Sequence, residues 1–272
     1  VPPKFKRVRL KAGDVNGDGF ADFLIGAMAA DPAGISAAGE AYLIYGRPAG
    51  LPAFITLTNT WLDGTNGIIL AGAVASDNGG NSVNTAGDVN GDGYDDFLIG
   101  AYYADPFGLS GAGEAFLVYG RASGLPPMIV MTNNWFDGTN GVIIAGARAG
   151  DYCGKIVCTA GDANGDGVAD LLVSAEGADP FGLSMAGETY LVYGKKQRPP
   201  IEPSYGSVTG GYQVIIRGID LGNGSDITNV TLCGMAASSI VSQSATQVVI
   251  IAGQASAAGL GDVTVYSTSQ GE

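Results

Sequence analysis

Residues 14–22 read DVNGDGFAD, residues 88–96 read DVNGDGYDD and residues 162–170 read DANGDGVAD, three acidic nonapeptides spaced 74 residues apart. Oxygen-bearing side chains fall at positions 1, 3, 5 and 9 of each, and a glycine at position 6 can take a positive φ, so the loop wraps its oxygens toward one point. Carboxylates packed so closely repel one another unless a cation neutralises them. The candidate donors in the first loop are Asp14, Asn16, Asp18 and Asp22, with the Phe20 carbonyl as a fifth. Those in the second are Asp88, Asn90, Asp92 and Asp96 with the Tyr94 carbonyl, and in the third Asp162, Asn164, Asp166 and Asp170 with the Val168 carbonyl. An all-oxygen set without Cys or His selects Ca²⁺ over a transition metal, so three Ca²⁺ sites are expected. One such loop alone could equally be an Asx turn in a hairpin; its threefold recurrence favours the ion. The segments that follow, FLIGA, FLIGA and LLVSA, are strand-like, and position 12 lacks the bidentate Glu of an EF-hand.

The 74-residue register extends outward from these loops. Asp31, Asp105 and Asp179 each precede a Pro, and Glu40, Glu114 and Glu188 each follow a Gly; we read these as Asp-Pro turns and polar strand starts rather than acid–base pairs. Trp61 and Trp135 lie in matching TNTWLDGTNG and TNNWFDGTNG segments and are expected between packed units. Within the second copy, SVNTAG, DFLIGA, AFLVYG, MIVMT and GVIIAG read as strands bounded by Gly, Asn and Asp. One copy therefore predicts one small antiparallel sheet, which must pack face to face against the next. The units run about 8–74, 75–148 and 149–194, and the third stops short of the segments equivalent to MIVMT and GVIIAG. A basic, Pro-rich stretch at 195–200 reads as a linker, and 201–272 as a second small β domain.

Composition narrows the function. A formal charge of −13 disfavours nucleic acid and anionic membrane surfaces, and no apolar stretch is long enough to span a bilayer. The absence of His removes the commonest general base and the serine and cysteine triads, so the chain is expected not to be an enzyme. Cys153 and Cys158, five residues apart, suggest a local disulfide in an oxidising compartment, with buried thiols as the alternative. Asn223 and Asn229 sit in N-glycosylation tripeptides. Lys4, Lys6, Arg7, Arg9 and Lys11 make the first eleven residues basic against an acidic body.

The stretch GDVNGDGFADFLIGA followed by GEAYLIYGR resembles the FG-GAP repeat of integrin-type β-propellers and secreted calcium-binding proteins, over residues 8–194. The resemblance implies a four-stranded blade per repeat with Ca²⁺ in a hairpin loop at one rim, and an extracellular role in adhesion or assembly. Rings of this family close with about seven blades, so three blades make an incomplete ring. Residues 201–222, IEPSYGSVTGGYQVIIRGIDLG, with GLGDVTVYS at 259–267, are similar to an immunoglobulin-like IPT/TIG domain, which implies a spacer or interaction module. The expected whole is an all-β, secreted, calcium-stabilised structural or adhesive protein that assembles with copies of itself by strand addition at open sheet edges. Two other readings stand beside it: an integrin-like propeller fragment gripping a protein or glycan ligand, and the non-catalytic part of a cell-surface hydrolase.

Overall fold

The computed structural model describes residues 9–195, 201–202, 209–217, 225–244, 247–254 and 263–268. The chain forms two compact units, residues 1–196 and 197–272. In the first unit β1 (Arg9–Gly13), β2 (Asp22–Ala27), β3 (Glu40–Ile44) and β4 (Gly67–Gly72) run antiparallel as blade one. Blade two consists of β5 (Ser82–Gly87), β6 (Asp96–Ala101), β7 (Glu114–Val118) and, after the excursion β8 (Met128–Met131), β9 (Gly141–Ala145). Blade three has β10 (Cys153–Gly161), β11 (Asp170–Ala175) and β12 (Glu188–Val192), and no fourth strand among the described residues.

One expectation is corrected here. MIVM does not join the sheet of its own repeat; β8 crosses over and adds parallel to β4 of blade one, with Ile69 opposite Met128 and Gly72 opposite Met131. Ile129 and Met131 bury one side of that strand while Met128 and Val130 stay exposed, so the period-2 pattern is satisfied in the neighbouring sheet. The matching FITL segment of the first copy, residues 54–57, forms no strand, and Phe54 is 84% exposed.

The blades stack face to face. Leu24, Leu43 and Leu70 of blade one meet Val83, Phe97 and Ile99 of blade two, and Leu98, Ala115 and Leu117 on the other face meet Val157, Leu171 and Val173 of blade three. This is why DFLIGA is apolar on both faces: a central strand between two neighbours has no solvent side. Trp135 packs against the interface of blades one and two, with Arg121 over its ring, and Trp61 takes the equivalent place on blade one beneath Arg47. A register shift follows Lys11, Thr85 and Thr159, where Gly13, Gly87 and Gly161 hold φ of 83°, 73° and 67°. These bulges bend the inner strand and aim the acidic loop that follows.

The second unit is a two-sheet sandwich. One sheet orders β13 (Ile201–Glu202), β14 (Gln213–Arg217), β18 (Gln247–Ile251) and β17 (Ser239–Gln243); the other orders β16 (Met235–Ala236), β15 (Ile227–Leu232) and β19 (Val263–Ser267). Val214, Ile216, Ile227, Val230, Val248 and Ile250 fill the space between them, as alternation along the strands requires.

Candidate functional site

Each acidic loop joins the two innermost strands of its blade, and backbone N–H groups organise it. In the first, Asp14 accepts from the Asp18 and Gly19 N–H groups at 3.0 and 2.8 Å, Asn16 Oδ1 accepts from Asp18 N–H at 3.1 Å, and Asp18 accepts from Phe20 N–H at 2.9 Å. The same bonds recur around Asp88, Asn90 and Asp92, and around Asp162, Asn164 and Asp166. The ninth residue lies underneath: Asp22, Asp96 and Asp170 are at most 1% exposed, and each accepts one N–H from its own loop and one from the end of the third strand. The first, third and fifth side chains of each loop are thus tied to the loop's own backbone. Sequence spacing did not distinguish the buried ninth carboxylate, which pins the loop to the blade.

The donor set fits a hard cation. Burial, with Asp18 and Asp14 nearby, pushes the Asp22 carboxyl up to about 6, and burial, with Asp92 and Asp88, pushes Asp96 to about 8; the N–H bonds only partly offset this. A positive charge would relieve that penalty. Asp14, Asn16 and Asp18 with the Phe20 carbonyl, and their counterparts in the other two loops, would hold it. Among the described residues no group of three or more carboxylates is already converged on one point, and the loops are closed as Asx turns.

Two side-chain contacts at this rim escaped the repeat-based reading, which had named Tyr94 only for its carbonyl. Asp95, where the other copies have Ala21 and Ala169, accepts the Asp14 N–H at 2.8 Å and donates its own N–H to the Asp14 carbonyl at 3.1 Å, joining loops of adjacent blades. The Tyr94 ring covers Gly17, where a Cβ would lie 2.4 Å from a ring carbon. The extra Asp in DVNGDGYDD was the available signal.

The opposite rim carries the Asp-Pro turns. Asp31, Asp105 and Asp179 each accept an N–H six residues on, from Ala37, Gly111 and Met185, closing a turn in which Ala33, Phe107 and Phe181 sit at φ of 51° to 55°. Phe107 and Phe181 are 89% and 101% exposed, so two phenyl rings project to solvent from a strained left-handed backbone, Phe107 at the edge of a cleft. The cleft, of about 720 Å³, lies beside this rim, and Asp77, Asp105 and Glu114 face it. Burial, with Asp77 nearby, pushes Glu114 up to about 7; burial, with Asp105, pushes Asp77 to about 6.

The proposed disulfide is not made: Cys153 and Cys158 are free thiols in the single strand β10. Even with the bulge between Cys153 and Val157, their partners on β11, Ala175 and Leu172, stand three residues apart, which separates the two cysteines by ~10 Å, beyond the ~6 Å a disulfide bridges. Asn229 is exposed on β15, whereas Asn223, the residues 196–200 of the linker and the basic segment 1–8 lie outside the described residues.

Comparison with known proteins follows this architecture. The FG-GAP repeat model matches residues 10–44, 79–118 and 154–192, and the IPT/TIG domain model matches residues 200–271. The chain is 34% identical over 114 residues to phosphatidylinositol-glycan-specific phospholipase D of Bos taurus, covering 42% of this chain and 13% of that protein. It is 34% identical over 133 residues to integrin alpha-PS2 of Drosophila melanogaster, 47% of this chain and 9% of the integrin. With integrin alpha-IIb of Mus musculus the identity is 31% over 178 residues, 64% of this chain and 15% of the integrin. The matches thus span less than a sixth of these relatives' lengths. This chain is an FG-GAP repeat protein in which three repeats are followed by an IPT/TIG domain.

Proposed function

We propose that this chain is an extracellular, calcium-braced and non-catalytic module that binds a protein partner at the rim opposite its acidic loops. The observation that carries the reading is the pair Phe107 and Phe181, displayed at equivalent places on adjacent blades at the cost of backbone strain. Exposed aromatic side chains on a stiff framework are what a protein interface uses as anchors. The likeness to two integrin alpha chains supports this reading, as it supports a place outside the cell; no helix among the described residues is long and apolar enough to cross a membrane. Ca²⁺ in the three loops would act as a clamp on the far rim, with Asp14, Asp88 and Asp162 opening each donor set. Glycans at Asn223 and Asn229 would suit the same surroundings.

A double change Phe107→Ser with Phe181→Ser tests the rim. It should leave the melting temperature unchanged and abolish adhesion of cells to a surface coated with the protein; undiminished adhesion refutes the assignment. A second reading follows from the likeness to a phospholipase D: the chain would be the non-catalytic part of a hydrolase. Hydrolysis of a phosphatidylinositol-glycan substrate by this chain alone would contradict both readings.

A further inference from the structure

Among the described residues β9 is the edge strand of its sheet. In blade one the equivalent strand β4 is covered by β8, the Ile69 N–H donates to the Pro127 carbonyl at 3.0 Å, and β4 is buried along its whole length. β9 holds the same place beside β7, yet among the described residues no strand lies beyond it, and Val142 to Ala145 are only half-buried. The residues 74 positions after Pro127 and Met128 are Ile201 and Glu202, which form β13 and pair with β14 in the second unit. GVIIA carries neither charge nor proline to blunt an open edge.

The two sides of this edge ask for different chemistry. Ile143 and Ala145 line the cleft that Asp77, Asp105 and Glu114 also face. Ile144 points the other way, against the core between blades two and three. A strand in the β8 register can therefore bring cationic side chains beside Ile143 and Ala145 to the three carboxylates, over a floor that also holds Met131 and Phe136, and suits an apolar one beside Ile144, since paired residues share a face. The segment Pro2-Pro3-Lys4-Phe5-Lys6 has that pattern, and its Pro-Pro entry repeats Pro126-Pro127 ahead of β8. Aligned on those prolines, Lys4 falls beside Ile143, Phe5 beside Ile144 and Lys6 beside Ala145.

A chain cannot do this to itself. From Lys4 to Arg9, where β1 begins, the backbone reaches ~17 Å at most. The place outside β9 is four strand spacings, ~19 Å, from the inner edge of blade two, and β1 belongs to the neighbouring blade a further ~10 Å away. We propose that the segment Pro2–Arg7 of one copy adds as a parallel strand to β9 of a second copy, with Lys4 and Lys6 over the carboxylate cleft and Phe5 on the apolar side. The contact joins two different surfaces, so it propagates head to tail until a ring closes or a filament grows. The cleft adjoins the rim proposed above, since Phe107 lines it too, but the contact is made along β9 and needs neither phenyl ring.

Sedimentation of the full chain in millimolar Ca²⁺, with a labelled peptide of residues 1–11 as the probe, tests this. The mass should rise with concentration; deletion of residues 1–7, or Lys4→Glu with Lys6→Glu, should weaken association about tenfold or more. The peptide should bind the deleted chain, and more weakly after Glu114→Gln; should that variant not fold, Asp105→Asn on the exposed turn serves instead. A full chain that stays monomeric, a deletion that leaves association unchanged, a peptide that does not bind, or a scrambled peptide of equal charge that binds as well each overturns the proposal.

Discussion

Ser174 stands where the first two repeats have Gly26 and Gly100, and the reason is what lies opposite. A Cβ on Gly26 would sit 2.1 Å from the Gly80 carbonyl oxygen, and one on Gly100 would sit 1.9 Å from that of Gly154, because the next blade's inner strand crosses there. Among the described residues no blade follows β11, so a hydroxymethyl fits, and Ser174 Oγ accepts the Ile156 N–H at 2.9 Å. Gly100→Ser should therefore cost about 3 kcal/mol or more in urea unfolding, whereas Ser174→Gly should cost about 1 kcal/mol or less. Asp95→Ala should lose about 1–2 kcal/mol through its bond to the Asp14 N–H. Glu114 makes stability fall with rising pH: its carboxyl is raised from 4.5 to about 7, so the folded chain holds the proton more tightly than the unfolded one. That contribution is complete below about 4.5 and disappears as the pH climbs through about 7. Melting temperatures of Glu114→Gln across this window should show a shallower decline.

At the scale of the element, β8 and the FITL segment show how far a pattern of alternation reaches. MIVM reads as a strand and FITL is its counterpart 74 residues earlier, yet only Met128–Met131 becomes one, because β8 adds to the blade before its own and the described residues hold no blade before blade one to receive Phe54–Leu57. Ile129 is 1% exposed in the core between blades one and two, while Ile55 is only half-buried. Ile129→Ala should cost about 2–4 kcal/mol, the loss of a fully packed side chain, and Ile55→Ala less than about 1 kcal/mol. Equal losses would mean that the first segment has found an edge of its own. Runs of β-formers bounded by Gly, Asn and Asp were sufficient to locate β5 to β9. They carried no information on which sheet a strand joins, since that depends on an edge far away in sequence.

For the whole molecule the acidic loops decide how stability depends on conditions. Three clusters of carboxylate at one rim of an already acidic chain repel one another, and a bound cation would turn that repulsion into bracing. Ca²⁺ at a hundred times its dissociation constant should add about 2.7 kcal/mol for each site that exists only in the folded state. Calorimetric melts should rise with Ca²⁺ and drop with excess chelator; identical melts would remove the bracing role. The sequence by itself determined the 74-residue period, the three acidic loops, the strand runs of the second copy and the change of domain near residue 200, because these are written in neighbouring residues through turn chemistry and local composition. Only the tertiary structure decided that β8 belongs to the preceding blade, that Asp22, Asp96 and Asp170 lie beneath their loops, that Asp95 ties two loops together, that Cys153 and Cys158 stay apart, and that no strand among the described residues lies beyond β9. Each of these turns on which backbone passes within a few ångströms of which other, and the packing of blade on blade sets those distances.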